Sequence, residues 1–277
     1  MIKINIPSTL PSHIEQWKIK ADEITECIIK APTLLEKQAL INKHQAHWRD
    51  PKLIQWLSDL SAEKCWYTET KFGGDYQEVE HFRPKKETRD IDGEAINGHP
   101  GYYWLAFNIE NYRLCKRRPN AKKGTFFPIR NEHLRAMSEL WTWQDELPLF
   151  LDPTDDEDCI LLSFNDDGRP VPNEGLADSD IARVDFTIEK YFLDERVLNK
   201  RRAETWSACR ELYYKYLNSV KLASAGINGS VTHTAQAKKD LQTIKEMLRP
   251  NREFAAVARQ SLIKIGDRLA QTIASSS

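Results

Sequence analysis

Apolar residues recur at helical spacing through the first sixty residues of the chain. Five of them follow one another at intervals of three or four positions: Ile14, Trp17, Ala21, Ile24 and Ile28. Ser12 and Glu15 open this run with the spacing of a capping box, and Thr33 and Glu36 repeat that spacing before a second run. Asp50-Pro51 has the sequence of an N-cap followed by proline at the first helical position. The pattern predicts helices up to residue 60.

Glycine, proline and aromatic residues become frequent in residues 61–130. Helical spacing is lost at the start of this stretch and returns only in the region of Asn120. Turn dipeptides divide this stretch into short extended segments: Gly73-Gly74, Asp92-Gly93, Asn97-Gly98 and Pro100-Gly101. Binding and catalytic residues lie on irregular segments of this kind disproportionately often. We therefore expect the functional part of the chain here.

The remaining chain is predicted to hold short segments and then long helices. Within residues 131–185, the stretch CILLSFNDDG (159–168) predicts a strand that ends in an Asp-Gly turn. From Asp194 onward the apolar spacing predicts one long helix. Two further helices are expected around 233–248 and 252–273, separated by Pro250.

Composition excludes several classes of protein. The chain has 277 residues, of which 40% are hydrophobic, so it can bury a sizeable core. Its net charge of -1 gives no general attraction to nucleic acid or membrane, so any such attraction must be local. No segment approaches the ~20 apolar residues of a membrane span, and the first residues lack a signal-peptide core. Five scattered cysteines do not form a disulfide framework, which is typical of a cytoplasmic protein with reduced thiols.

One short stretch concentrates residues that carry chemistry. In DYQEVEHFRPKKETRD (75–90), Glu78 and Glu80 alternate directly before His81, and cations follow. Asn111 and Asn120 come later, and residues 112–130 hold seven cations and no acid. A solvated charged loop is one interpretation of the first stretch, and a metal site that attacks a phosphate is the other. The basic stripe favours a polyanionic substrate.

Six blocks in a fixed order resemble a known family. They are KCWYTE (64–69), EVEHFRPK (78–85), GYYWLAFNIENYRL (101–114), NAKKGTFFP (120–128), ELPLFLDP (146–153) and FTIEKYFLDERVLNKRR (186–202). Together they resemble the HNH endonuclease subunits of Septu-type antiphage systems (PtuB-like), including those that act as retron effectors. The resemblance covers about residues 48–202, and it keeps an acid-His pair, an Asn and an Asn-x-x-Lys-Gly in register.

The resemblance implies a fold and a domain organisation. The fold would be mainly α (α+β), with a ββα-metal HNH nuclease core embedded between helical regions. The expected parts are an N-terminal helical region (1–60), the nuclease core (61–130) and a mostly helical C-terminal region (131–277). That last region would pack on the core and dock a partner.

The resemblance also assigns roles to individual residues. His81 would be the general base, because a neutral imidazole can take a proton from water near pH 7. Asn111 would tie down the loop that presents His81. Lys123 and Arg83 would neutralise the phosphate. Arg83 could equally brace the loop through an ion pair.

A metal ion would complete such a site. Glu80 and Asn120 would hold one Mg²⁺ (or Mn²⁺), since hard cations prefer oxygen ligands and keep several waters. Glu78 would assist the metal or orient the site, because alternate residues of a strand share a face.

The chain departs from its relatives at one place. Related sequences carry two Cys-x-x-Cys pairs that hold a structural zinc. Here the first pair reads Cys65 to Thr68, and the second pair's positions hold Lys116 and Pro119, with Cys115 one residue out of register. Because structural zinc normally takes four Cys or His ligands, we expect no structural zinc.

The partners expected from the resemblance are a nucleic-acid substrate and a PtuA-like ABC/SMC-type ATPase. A retron reverse transcriptase with its RNA–DNA hybrid would be a further partner in retron-associated systems, and no membrane is expected. The substrate would be DNA by family default, and structured RNA such as tRNA is the alternative. The rival interpretation is a catalytically inactive HNH-like scaffold that binds the ATPase or nucleic acid. The retention of Glu80, His81, Asn111 and Asn120 favours the enzyme.

Overall fold

The computed structural model describes residues 1–225 and 230–276 and is mainly α-helical with a little β-structure, as predicted. Its α-helices are α1 (Ser12–Lys30), α2 (Leu34–Lys43), α3 (Pro51–Leu60), α4 (Arg117–Lys123), α5 (Asp156–Leu161), α6 (Asp178–Lys190), α7 (Arg196–Ser224), α8 (Ser230–Leu248), α9 (Ala255–Ile263) and α10 (Arg268–Ser275). Its strands are β1 (Gln77–His81), β2 (Tyr112–Lys116), β3 (Leu162–Phe164) and β4 (Pro170–Pro172). Four short 3-10 helices lie at Tyr103–Leu105, Ile109–Asn111, Glu132–Leu134 and Trp143–Asp145.

The N-terminal helices begin close to the predicted positions. The capping box at Thr33 and Glu36 is formed, with both reciprocal hydrogen bonds present, and Asp50 caps α3 with proline at the first position. The box predicted at Ser12 is wrong. Ser12 is already inside α1, and the cap residue is Pro11, whose carbonyl accepts the first helical hydrogen bonds without a side-chain cap.

The C-terminal helices follow the prediction up to Pro250 and differ beyond it. Helix α7 is one long helix, and α8 covers the predicted segment. The single helix predicted for 252–273 is wrong, because the chain forms α9 and α10 instead. Gly266 adopts a left-handed conformation with φ of +85°, and the Asp267 side chain accepts from Ala270 N at 2.8 Å to cap α10.

The strand predicted in residues 159–168 is shorter than expected. Its first residues complete α5, and only Leu162–Phe164 pair, antiparallel with β4. Gly168 closes the turn between them with φ of +74°. A Cβ there would lie 2.1 Å from the carbonyl oxygen of Asn199, so only glycine lets α7 approach this closely.

The buried apolar side chains of residues 1–225 and 230–276 form two groups. The larger one runs from Met1 to Val257 and joins the N-terminal helices, the segment around β1 and β2, and residues near α6 and α9. The smaller one lies among α7, α8, α9 and α10. Strands β1 and β2 are contacted by α3 and by α4, so the sheet that carries the acid-His pair is covered by helices. Within the described residues, no helix is long and apolar enough to cross a membrane.

Candidate active site

Strands β1 and β2 and helix α4 bring the predicted residues together. The strands pair antiparallel, with Glu80 opposite Arg113 and His81 opposite Tyr112, and β2 runs directly into α4. Helix α4 packs on both strands. Because alternate residues of a strand share a face, Glu78 and Glu80 both point at α4, while His81 points away from it.

The imidazole of His81 is held in one tautomer. Its Nε2 lies 2.9 Å from the carbonyl oxygen of Ala106, which can only accept, so Nε2 carries the hydrogen and Nδ1 carries the lone pair. The rings of Trp48 and Tyr112 pack edge-on against it at centroid distances of 5.0 and 5.1 Å. Burial, with the positive charge of Lys85, keeps the pKa of His81 well below its ordinary value, so the ring is neutral at pH 7.

A lysine already occupies the free nitrogen of that ring. Lys85 Nζ lies 3.2 Å from His81 Nδ1 and 4.9 Å from the centre of the Trp48 ring. Burial lowers the pKa of Lys85 to about 8, and the charge of Lys123 adds to the effect. The nitrogen expected to act as the base therefore has an ammonium donor in contact with its lone pair.

Asn111 fixes the backbone that follows His81. Its Oδ1 accepts from Arg83 N at 2.7 Å, and its Nδ2 donates to the carbonyl oxygens of Arg83 at 3.0 Å and Leu105 at 3.2 Å. The side chain is 3% exposed. The sequence predicted a loop-tying role for this residue, and the contacts are of that kind.

Glu80 is buried and paired with Lys123. Lys123 Nζ donates to Glu80 Oε1 at 2.5 Å and to the carbonyl oxygens of His81 and Phe82 at 2.7 and 2.8 Å. Both side chains are 1% exposed. An ammonium has three hydrogens, so Lys123 has none left for a phosphate. This arrangement therefore does not provide the predicted contact between Lys123 and a phosphate.

Arg83 is likewise turned inward. Its Nε donates to Glu146 Oε2 at 2.7 Å, and its Nη2 donates to the Trp143 carbonyl oxygen at 3.1 Å. Glu146 also accepts from Tyr102 Oη and from Ala136 N. The geometry is that of the bracing ion pair considered from the sequence, because the guanidinium is buried against Glu146 and Trp143.

Glu78 and Asn120 form the part of the site that reaches solvent. Asn120 Nδ2 donates to Glu78 Oε2 at 2.6 Å, and the Glu78 side chain is 31% exposed. This leaves Asn120 Oδ1 without a hydrogen-bond donor in the described chain. One carboxylate and one amide oxygen fit a Mg²⁺ ion, which takes one or two carboxylates and keeps its other positions for water and phosphate. Glu80, held by Lys123, lies beneath this pair.

The cysteines are placed as small buried side chains. Cys65 and Cys115 are 1% and 0% exposed, and burial raises the pKa of the Cys115 thiol well above its ordinary value. In residues 1–225 and 230–276, no cluster of three or more His, Cys, Asp or Glu side chains is placed to hold a metal ion.

The basic stripe includes cations that pair with acids and cations that lie outward on α4. Arg113 pairs with Asp152, Lys116 with Asp75 and Arg130 with Asp180. The outward members lie on α4: Arg117, Arg118 and Lys122. A polyanion would meet these three first.

Several residues around the site were missed in the sequence. Lys85 lies in the EVEHFRPK block and Glu146 in the ELPLFLDP block, and neither block assigned them a role. Tyr191 Oη lies 2.8 Å from Tyr67 Oη and 3.4 Å from Glu80 Oε2, and the two rings stack at 3.7 Å. All four lie inside the six ordered blocks, but the contacts of Glu146, Tyr67 and Tyr191 join segments that are distant in sequence.

Comparison with known proteins confirms the predicted resemblance. No family model matches the chain. The Septu protein PtuB of Bacillus mycoides (strain KBAB4) is 34% identical over 161 residues, which are 57% of this chain. This chain is similar to PtuB. The matched part is 52% of the PtuB sequence, so the chain spans about half the length of the curated relative.

Proposed function

We propose that the chain is a metal-dependent HNH endonuclease that hydrolyses phosphodiester bonds. The observation that carries the proposal is the imidazole of His81, fixed by Ala106 so that its Nδ1 carries the lone pair, which Lys85 contacts. The oxygen pair of Glu78 and Asn120 belongs to the same ββα unit, on the side of β1 that faces α4. A base, hard oxygen ligands and outward cations are the groups that phosphodiester hydrolysis needs.

Each residue has a proposed task. His81 Nδ1 takes the proton of the attacking water once the Lys85 ammonium has moved away from it. Asn111 keeps the Arg83 backbone, and with it the base, in place. Glu78 and Asn120 would hold a Mg²⁺ ion, which when bound supplies positive charge to the phosphate and to the leaving oxygen. Arg117, Arg118 and Lys122 draw the phosphates to α4.

Glu80 supports the site in this proposal. Its carboxylate neutralises Lys123, and Lys123 in turn holds the carbonyl oxygens of His81 and Phe82. The pair therefore fixes the end of β1, where the base is presented. Arg83 and Glu146 do the same for the loop beyond it.

The similarity to PtuB supports a place in antiphage defence. We propose that the chain is the toxic effector of a defence complex whose ATPase subunit, of PtuA type, controls cleavage. A retron reverse transcriptase and its RNA–DNA hybrid are further proposed partners. DNA is the first proposed substrate, and structured RNA such as tRNA is the second.

A scaffold without activity is the competing proposal, and one observation favours it. Lys85 contacts the lone pair of the base. A chain that only binds an ATPase or nucleic acid would have no need to release this contact.

A cleavage assay separates the two proposals. The chain is reconstituted with its ATPase partner and given plasmid DNA or total RNA, with Mg²⁺ or EDTA. His81→Ala is compared with the matched control His133→Ala, which changes an exposed histidine. The enzyme proposal predicts cleavage that is lost with EDTA and with His81→Ala and kept with His133→Ala. Cleavage that survives His81→Ala refutes it, and the pool that is cut identifies the substrate.

A further inference from the structure

A groove beside α4 adjoins the candidate active site. It has a volume of roughly 650 Å³ and is walled by residues of β2 and α4 on one side and by the α6–α7 junction on the other. Pro119 and Ala121, the two neighbours of Asn120, both line it. Asn120 itself turns to Glu78, so the groove begins on the same helix next to the Glu78–Asn120 pair.

The wall of the groove is apolar and exposed. Tyr76 is 77% exposed and Val197 is 52% exposed, and Leu198 and Phe192 complete the surface. Exposed apolar surface of this kind marks a binding site more often than a random surface does.

The rim of the groove carries exposed positive charge. Lys116 and Arg201 are engaged by Asp75 and Glu253, and Glu195 caps the start of α7. Arg118 has no ion pair within the described residues, and Arg117 Nε is 4.0 Å from Glu78 Oε1 and mostly exposed. Two guanidinium groups are thus available at the edge next to Asn120.

Phe192 is held in a conformation that phenylalanine rarely adopts. Its φ is +55°, in the left-handed region, at the junction of α6 and α7. The guanidinium of Arg118 lies over its ring at 3.9 Å from the ring centre. The strained backbone and the stacked arginine together build a flat, cationic and aromatic surface.

We infer that this groove binds an unpaired nucleotide that flanks the scissile phosphate. Its base would pack on the apolar wall, and its phosphates would meet Arg117 and Arg118. Aromatic and guanidinium planes bind unstacked bases in this manner, whereas a base inside a duplex cannot enter such a groove without leaving its pair. The inference rests on the proposed nuclease function, and it assigns single-stranded or looped nucleic acid as the preferred substrate.

Binding measurements test the groove separately from cleavage. Fluorescence anisotropy is recorded for the 277-residue chain with a fluorescein-labelled single-stranded oligonucleotide, with its duplex, and with a probe whose bases are replaced by abasic sugars. EDTA is present, so that no cleavage occurs. The key variant is Val197→Asp, which places a charge on the groove wall.

The chain offers a matched control for this variant. Val197 is the second residue of α7, and Val231 is the second residue of α8 and 84% exposed. An aspartate in the first turn of a helix is favourable, so both variants are expected to fold. Arg118→Ala is compared in the same way with Arg268→Ala, an exposed arginine on α10.

The expected result is specific to the groove and to unpaired bases. Val197→Asp and Arg118→Ala weaken binding of the single strand by about tenfold, the size of one lost base stack. Val231→Asp and Arg268→Ala leave it unchanged, and Val197→Asp alters abasic-probe binding less. Single-strand binding that Val197→Asp leaves at its original strength overturns the inference. Loss of only the ATPase complex in Val197→Asp also overturns it, because the groove would then be a protein-docking surface.

The two proposals fail in distinguishable ways. If cleavage survives His81→Ala while Val197→Asp still weakens single-strand binding, the nuclease mechanism is wrong and the groove stands. If His81→Ala abolishes cleavage and Val197→Asp binds the single strand as tightly as the unchanged chain does, the groove inference is wrong and the nuclease mechanism stands.

Discussion

The side-chain amide of Asn111 hydrogen-bonds both polar groups of the Arg83 backbone, accepting from its N–H and donating to its carbonyl oxygen. A carboxylate could replace only the accepting half of this pair. Asn111→Asp would turn a negative charge toward the carbonyl oxygens of Arg83 and Leu105. We expect it to lower the free energy of unfolding by about 3 kcal/mol, measured by urea denaturation.

The matched control for this change is Asn131→Asp. The Asn131 side chain only accepts, from His133 N, in an exposed position, so aspartate keeps its contact. A loss of stability that is equal in both variants would contradict the proposed two-sided role of Asn111.

Because Glu80 and Lys123 form a buried pair, substitutions of the two residues should be strongly coupled in their effect on the free energy of unfolding. Lys123→Met leaves a buried carboxylate without its cation, and Glu80→Gln leaves a buried ammonium without its anion. Each single change is expected to lower the free energy of unfolding by about 3–5 kcal/mol. The double variant should lose less than the sum of the two, with a coupling energy of about 2 kcal/mol or more.

An exposed pair provides the reference cycle. Lys18 and Asp22 are 2.7 Å apart with more than half of each side chain exposed, and their coupling should stay below about 1 kcal/mol. Additive losses at Glu80 and Lys123 would show that their charges do not stabilise one another.

Substitution of Arg83 should lower the free energy of unfolding rather than weaken nucleic-acid binding directly. Because Arg83→Met strands the buried Glu146 carboxylate, it is expected to lower the free energy of unfolding by about 3 kcal/mol or more. Arg130→Met breaks the more exposed contact with Asp180 and should cost less than about 1 kcal/mol. If Arg83→Met unfolds at the original urea concentration yet binds nucleic acid more weakly, Arg83 is a phosphate ligand after all.

Because His99 is buried, we expect the free energy of unfolding to fall in mild acid. The His99 ring has Nε2 on the Ala136 carbonyl oxygen and Nδ1 accepting from Gly101 N, and burial lowers its pKa from 6.5 to about 4. A pKa that is lower in the folded state means that the unfolded chain binds more protons between these values. The contribution is fully present above pH 6.5 and is lost as pH falls toward 4, by no more than about 3 kcal/mol.

The measurement compares the chain with His99→Gln over that pH range. The stability advantage of the histidine over the glutamine should shrink as pH falls from 7 toward 4.5. An advantage of His99 that stays constant with pH would show that its protonation is not linked to folding.

The local sequence pattern was enough to predict features that depend on residues close together in the chain, such as strand faces and helix caps. The alternation of Glu78 and Glu80 predicted a shared face, and both side chains do meet α4. The capping box at Thr33 depends on residues three positions apart, and it is present. Helical spacing was expected to return near Asn120, and α4 lies there.

Pattern could not predict contacts that the fold creates between distant segments. Arg83 and Lys123 are cations in a basic region, and nothing local shows whether they face a substrate or a buried acid. Arg83 meets a carboxylate 63 positions away and Lys123 one 43 positions away. The break between α9 and α10 was missed for another reason, since one glycine outweighed an otherwise continuous apolar spacing.

Chemical rescue of the base tests the central claim most directly. His81→Gly removes the imidazole and leaves space between Trp48 and Tyr112 that added imidazole can enter. In the reconstituted complex with Mg²⁺, the account predicts that His81→Gly loses cleavage and that imidazole restores part of the rate, whereas Asn111→Asp gains nothing from it. Cleavage by His81→Gly at the original rate without imidazole would contradict the account.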